Sequence, residues 1–163
     1  MQQPTYCADT SSLIHLSRDF PRDVFPSLWQ QIEGLIGSGR LIAPREVRKE
    51  IELGSDELVR WAKKMRKMFM KPDALQTKEV QDILSNFPNL IDPASQKPQA
   101  DPFVIALAKV GMGLQLGLQP ASERVALTEE SKVKANRIPQ VCTHFGIRSL
   151  NLIELFREEN WKF

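Results

Sequence analysis

At 163 residues, 42% hydrophobic and 26% charged, the chain has the size and composition of one globular domain with a real core. A net charge of +2 is too balanced to announce nucleic-acid binding by itself, and Cys7 and Cys142 stand too far apart for a Cys-x-x-Cys pair or a disulfide framework. The opening Met1-Gln2-Gln3-Pro4-Thr5 has neither the basic nor the apolar region of a signal peptide, and no apolar run approaches membrane-spanning length. A soluble cytoplasmic protein without membrane contact is expected.

In chain order, residues 5–9 read as a short buried strand. A helix follows with Leu13, Ile14 and Leu16 as its apolar positions, ending before Pro21. Phe25, Leu28, Trp29, Ile32, Leu35 and Ile36 recur at helical spacing until Gly37-Ser38-Gly39 stops them. Residues 40–43 read as a second strand, and Pro44 suits the first turn of the next helix, closed by Gly54. Ser55 is expected to cap a helix reaching about Met70, with Asp56 and Glu57 in its first turn. Thr77 is expected to cap a short helix through Leu84. Residues 88–98 form an irregular connection. Asp101-Pro102 opens an apolar helix to about Val110, and the glycine-rich stretch 111–120 reads as a loop. Residues 125–128 are a strand, 138–145 a helix stopped by Gly146, and 147–150 a last strand. Asn151 caps the final helix, Leu152 to about Glu158. Strands alternating with helices imply a mostly parallel sheet covered on both faces, a single three-layer α/β/α domain over residues 1–163.

Acidic residues stand at informative points of this order. Asp9 closes the apolar run Tyr6-Cys7-Ala8 and precedes Thr10-Ser11-Ser12. Asp101 stands just before an apolar helix, and Glu130 ends the run that begins at Val125. At about 100° per residue, Val47, Ile51 and Gly54 define the inward face of the helix after Pro44. Glu50 falls about 60° from its centre, whereas Glu46 falls more than 100° away and Glu52 faces outward. Ligands of open parallel sheets bind in the crevice outside the carboxyl ends of the strands. Carboxylates gathered there repel one another unless a hard cation sits among them, and Mg²⁺ or Mn²⁺ have the required oxygen preference. Each acid also has an ordinary explanation. Asp9 can cap a turn, Asp101 before a proline is itself a helix-start signal, and Glu50 can be a boundary residue. Glu130 shares a strand side with Thr128, and Glu129 points the other way.

Arg60, Lys63, Lys64, Arg66, Lys67 and Lys71 concentrate positive charge in one stretch, which is either a solvated helix face or a phosphate-binding one. Trp29 and Trp61 read as core residues, with base stacking as the alternative. His15 and His144 are isolated and read as packing or surface residues.

The order of these motifs resembles the PIN-domain nucleases, a superfamily that includes the VapC-like toxins of bacterial toxin–antitoxin pairs. The matching segments are Asp9-Thr10, Pro44 to Glu50, Asp101 to Ala106, and Leu127-Thr128-Glu129-Glu130. The closing Ile138 to Cys142 and Trp161-Lys162-Phe163 look like an uncharacterised prokaryotic PIN-like branch. The resemblance implies that Asp9, Glu50 and Asp101 hold the metal, that Glu130 stands at the fourth acidic position with Glu129 as its substitute, and that Thr10 or Ser11 supplies a hydroxyl nearby. It implies a Mg²⁺- or Mn²⁺-dependent ribonuclease whose Lys63, Lys64 and Lys67 hold the RNA backbone. A cognate antitoxin protein and a homodimer are the further partners it suggests. Ser11 stands where a haloacid-dehalogenase-like phosphatase needs a second acid, which argues against that class. The rival is a degenerate PIN scaffold that binds RNA or protein without cutting.

Overall fold

The structure, a computed structural model, describes residues 2–54, 56–115 and 122–163. Its strands are β1 (Thr5–Ala8), β2 (Leu41–Pro44), β3 (Phe69–Met70), β4 (Arg124–Leu127) and β5 (Ser149–Leu150). Its helices are α1 (Thr10–Asp19), α2 (Pro26–Gly37), α3 (Arg45–Ile51), α4 (Asp56–Lys64), α5 (Ala74–Asn86), α6 (Asp101–Gln115), α7 (Ile138–His144) and α8 (Leu152–Glu158). The strands form one parallel sheet in the order β3-β2-β1-β4-β5, with the helices around it in a three-layer α/β/α arrangement. Among the described residues no helix is long and apolar enough to cross a membrane.

The central strands carry no polar alternation, because helices cover both of their faces. Tyr6, Cys7, Ala8, Val125 and Ala126 are fully buried, as is the α6 run Val104 to Ala108. Both cysteines are free and buried in this core. Trp29 and Trp61 are 4% and 6% exposed and meet edge to face, so core packing is their role. His15 lies beside Asp19, and His144 packs on Phe87 and Phe145.

From β1 the chain moves outward to β2 and β3, then returns to the other side of β1 for β4 and β5. The connections leaving β1 and β4 therefore diverge at their carboxyl ends, the topological switch point at which open sheets leave a crevice.

Several local expectations are corrected. The helix expected to reach Met70 ends at Lys64, and the chain passes through a 3₁₀ turn at Arg66–Met68 into edge strand β3. Pro44 belongs to β2 and is the N-cap of α3 rather than its first helical residue. Asp73, not Thr77, caps α5, accepting from Gln76 N at 2.8 Å, and α5 extends to Asn86. Residues 111–115 continue α6 instead of forming a loop. Gly111 is there for close packing: a Cβ would lie 2.4 Å from Arg124 Cδ. Residues 116–120 of the expected loop, and Ser55 as a cap, lie outside the described residues. Asn151 does cap α8, accepting from Glu154 N at 2.9 Å.

Candidate functional site

Asp9 is the first residue past β1 and the N-cap of α1, and it is 2% exposed. Its Oδ1 accepts from Ser12 N at 2.8 Å, and its Oδ2 accepts from Ser11 Oγ at 2.7 Å and Thr128 Oγ1 at 2.5 Å. Burial raises its pKa, against the pull of these donors. A buried carboxylate needs such partners, and here Thr128, the residue that follows β4, supplies one across the switch point.

Glu50 comes from α3, and its Oε1 accepts from Thr10 Oγ1 at 2.5 Å. Burial raises its pKa, the Thr10 bond lowers it, and the Asp9 charge adds a further upward push. Asp101 opens α6. Its pKa is pushed up to about 8, first by burial and then by the charges of Glu130, Asp9 and Glu50, with Arg137 acting the other way. Among the described residues no donor hydrogen-bonds its carboxylate, and the backbone of Ala100 begins the helix. Glu130 is raised by burial and by Asp9, while Ile138 N and Arg137 Nη1, each at 3.4 Å, stabilise its charge.

The four sequence-derived acids thus meet at the carboxyl ends of β1 and β4, near enough that Asp101 feels the charges of the other three and that Glu50 and Glu130 feel that of Asp9. Glu129 does not join them. Its Oε1 accepts from Leu152 N at 2.7 Å at the start of α8, so its carboxylate serves a helix end. Glu46, expected to point away from the core, is 7% exposed, and its Oε2 has no hydrogen-bond partner among the described residues. The reason is packing: α3 is covered by α1, α4 and β3 together, so a single inward face does not describe it.

Thr10 and Ser11 give their hydroxyls to Glu50 and Asp9, so they orient the carboxylates. Thr128 does the same and was not singled out from the sequence. Its signal was present, since Thr128 and Glu130 share a side of an extended strand. It is 2% exposed, and its Oγ1 also accepts from Glu130 N at 3.1 Å. Arg137, the cation facing Glu130, had no sequence signal because it reaches the site from the loop before α7.

The basic run does not present one surface. Lys63, Lys64 and Lys67 are all exposed, but Lys64 borders a cavity between α2 and α4, and Lys67 borders a different one with Thr5 and Arg124, at the amino ends of the strands. Lys67 is therefore at the end of the sheet opposite the acids.

A family model matches residues 6–163. The chain belongs to the family described as Domain of unknown function (DUF4411). The match begins within β1 and includes all four acids. No curated protein matches the chain.

A divalent cation can be tested against this family member's own donors. The donor chemistry fits a hard cation: carboxylates only, with Asp101 free of competing hydrogen bonds. Among the described residues no three His, Cys, Asp or Glu side chains already stand in a metal-holding arrangement. Holding an ion here requires side-chain rearrangement around Asp9, whose carboxylate is held by Ser11, Ser12 and Thr128.

Proposed function

We propose that this domain is a Mg²⁺- or Mn²⁺-dependent ribonuclease of PIN-like type. The observation that supports the reading is the repulsive gathering of Asp9, Glu50, Asp101 and Glu130 at the switch point, with Asp101 pushed up to about 8 by burial and its three acidic neighbours. Folding such a cluster is unfavourable unless something positive occupies it, and functional sites are where such costs concentrate.

Asp9, Glu50, Asp101 and Glu130 would hold the ion. When bound, it would supply an acidified water and offset the charge that develops on the phosphoryl oxygens. The chain's residues prepare the site. Ser11, Ser12 and Thr128 fix both oxygens of Asp9, and Thr10 fixes one oxygen of Glu50. Asp101 carries a proton near neutral pH in the ion-free site and is the carboxylate free to turn. Arg137 adds the cation beside the acids, where an anionic backbone needs one.

RNA cleavage that disappears with EDTA and in Asp9→Asn tests the reading. Glu130→Gln should cost less, because Glu130 already shares its charge with Arg137. Full activity of Asp9→Asn would end it. The toxin role rests on the sequence resemblance alone. It predicts growth arrest on induction that depends on Asp9, relieved by a small partner protein; homodimerisation is a separate expectation, testable by light scattering.

A second reading has its own support: both Asp9 oxygens already accept from protein donors, Oδ2 from two of them, as in a scaffold that binds RNA or protein without cutting. RNA affinity without metal-dependent cleavage would select it.

A further inference from the structure

Two cavities run away from the acids along α1 and α4. The first, of about 430 Å³, has Glu50 as one wall, with Ile14, Ile51 and Leu58 as apolar lining and Arg18 as a cation. The second, of about 390 Å³, has Arg22, Arg60 and Lys64 at its border and the edges of Trp29 and Trp61 within. Ser17, Glu57 and Leu58 line both, so the cavities adjoin. Each volume lies in the range of sites that hold a compact organic ligand.

We propose that these cavities are one binding track for single-stranded RNA, with a base in the first cavity and the following backbone phosphate at Arg60 and Lys64 in the second. The proposal rests on the ribonuclease reading, since that reading is what brings a phosphodiester to Glu50.

The division of chemistry between the cavities supports this occupant. The Glu50 cavity is mainly apolar, with Ile14 43% exposed on an otherwise polar helix surface. A base needs an apolar slot with a few polar groups at its edge; Ser17 supplies one there, beside Arg18, which is paired with Asp19 at 2.9 Å. In the second cavity Arg22 is engaged, pairing with Glu33 and lying over the Trp29 ring. Glu33 is also fixed by Trp61 Nε1 at 3.1 Å. Arg60 and Lys64, one turn apart on α4, have no carboxylate within ion-pair distance among the described residues. Exposed cations without a protein partner, beside a cavity that adjoins the one bordered by Glu50, are free to meet phosphates. The buried Trp rings are not stacking platforms here. They make the rigid wall against which α4 presents its cations.

The track replaces the simple picture of a basic run. Lys64 belongs to it, and Arg60 joins it from one turn earlier. Lys67 does not, because it borders the cavity at the other end of the sheet.

The test measures fluorescence anisotropy of a labelled single-stranded oligoribonucleotide in EDTA, where cleavage plays no part. Wild type is compared with Arg60→Ala/Lys64→Ala, with Ile14→Asp, and with Lys67→Ala as the control. All these positions are exposed, and each variant is checked by its melting temperature. The double variant should weaken binding about tenfold or more and flatten the salt slope by about 1.4, at about 0.7 for each lost contact. Ile14→Asp should weaken binding, and Lys67→Ala should leave it unchanged. Wild-type affinity and slope in the double variant would overturn the track, as would equal loss in Lys67→Ala. Absence of RNA binding with capture of an acidic peptide at Arg60 and Lys64 would also overturn it, in favour of a protein partner. The nuclease reading fails separately: absence of metal-dependent RNA cleavage by wild type removes that reading while the anisotropy result stands.

Discussion

Thr10 Oγ1 donates to Glu50 Oε1 at 2.5 Å, so the residue that follows Asp9 holds the acid contributed by α3. The bond joins the start of α1 to a helix from a different part of the chain and settles the orientation of Glu50 before any ligand arrives. Thr10→Val keeps the shape and removes the donor. It should destabilise the protein by about 1 kcal/mol at neutral pH, less than a fully buried charged bond because Glu50 is only half-buried. The Thr10 bond favours the ionised form, so the loss should shrink as pH falls through the Glu50 titration. Thr10→Ser should behave as wild type. Denaturant unfolding at two pH values checks this, and equal losses in the Ser and Val variants would remove the hydroxyl from the account.

A pH dependence follows from Asp101. Its folded pKa of about 8 exceeds the ordinary value of 3.8, so the folded state holds a proton that the unfolded chain has released. The associated stability is fully present below the unfolded value and is lost as pH rises through about 8. Asp9, Glu50 and Glu130 are shifted in the same direction. Asp19, Glu158 and Glu159 are shifted downward, so their opposite contribution is lost only in acid. In the absence of divalent ions the melting temperature should therefore fall between pH 6 and pH 9. Asp101→Asn should flatten that fall and raise the melting temperature at pH 9 by about 5 °C, which corresponds to about 2 kcal/mol at this size. An unchanged pH profile in the variant would detach Asp101 from the cluster.

Mn²⁺ should relieve the same repulsion. At about 100 times its dissociation constant it should stabilise the native state by about 2.7 kcal/mol, a rise of roughly 5–10 °C in melting temperature. Asp101→Asn should lose most of this shift. Ca²⁺ and ionic-strength controls separate a specific site from general screening. Asp9→Asn is a poorer probe, since its amide nitrogen cannot replace the oxygen that accepts from Ser12 or the one that accepts from Ser11 and Thr128.

Arg137 offers an independent check from the opposite sign of charge. Its Nη1 lies 3.4 Å from Glu130 Oε2, and its side chain is 53% exposed. Arg137→Ala should change stability at pH 6 by less than about 1 kcal/mol, as for other exposed pairs. It should also steepen the fall in melting temperature above pH 6 and tighten Mn²⁺ binding, because it removes a positive charge from beside the acids. Weaker Mn²⁺ binding in this variant would contradict its proposed place at the site.

The long elements were legible because their apolar periodicities are uninterrupted, as in α2 and α6, or because a cap announces them, as Asn151 does for α8. β3 was not. Phe69–Met70 offers two residues to a strand and follows a basic run whose spacing continues α4, so no local pattern separates it from a helix. The four acids were legible through their position after strands and on flanking helices. Their local roles were not. Asp9, whose position suggested function, is also a full helix cap, while Asp101, whose Asp-Pro pairing suggested a cap, receives no donor. Which of two acids an N-terminus uses depends on how tertiary contacts turn each side chain. Glu46 was misplaced for a related reason, since a helix covered on several sides has no exposed back.

The metal-dependent ribonuclease activity is measured most directly as the rate at which purified protein cleaves single-stranded RNA at saturating Mn²⁺, compared between wild type and Asp101→Asn of verified fold. The donor lost in that variant supports no helix cap and no hydrogen bond, so its effect reports the site alone. Wild type should cleave in a Mn²⁺-dependent way and the variant should lose at least about a hundredfold of that rate, the scale of removing one group that stabilises transition-state charge. Equal rates in the two proteins, or no Mn²⁺-dependent cleavage by wild type, would contradict the ribonuclease reading.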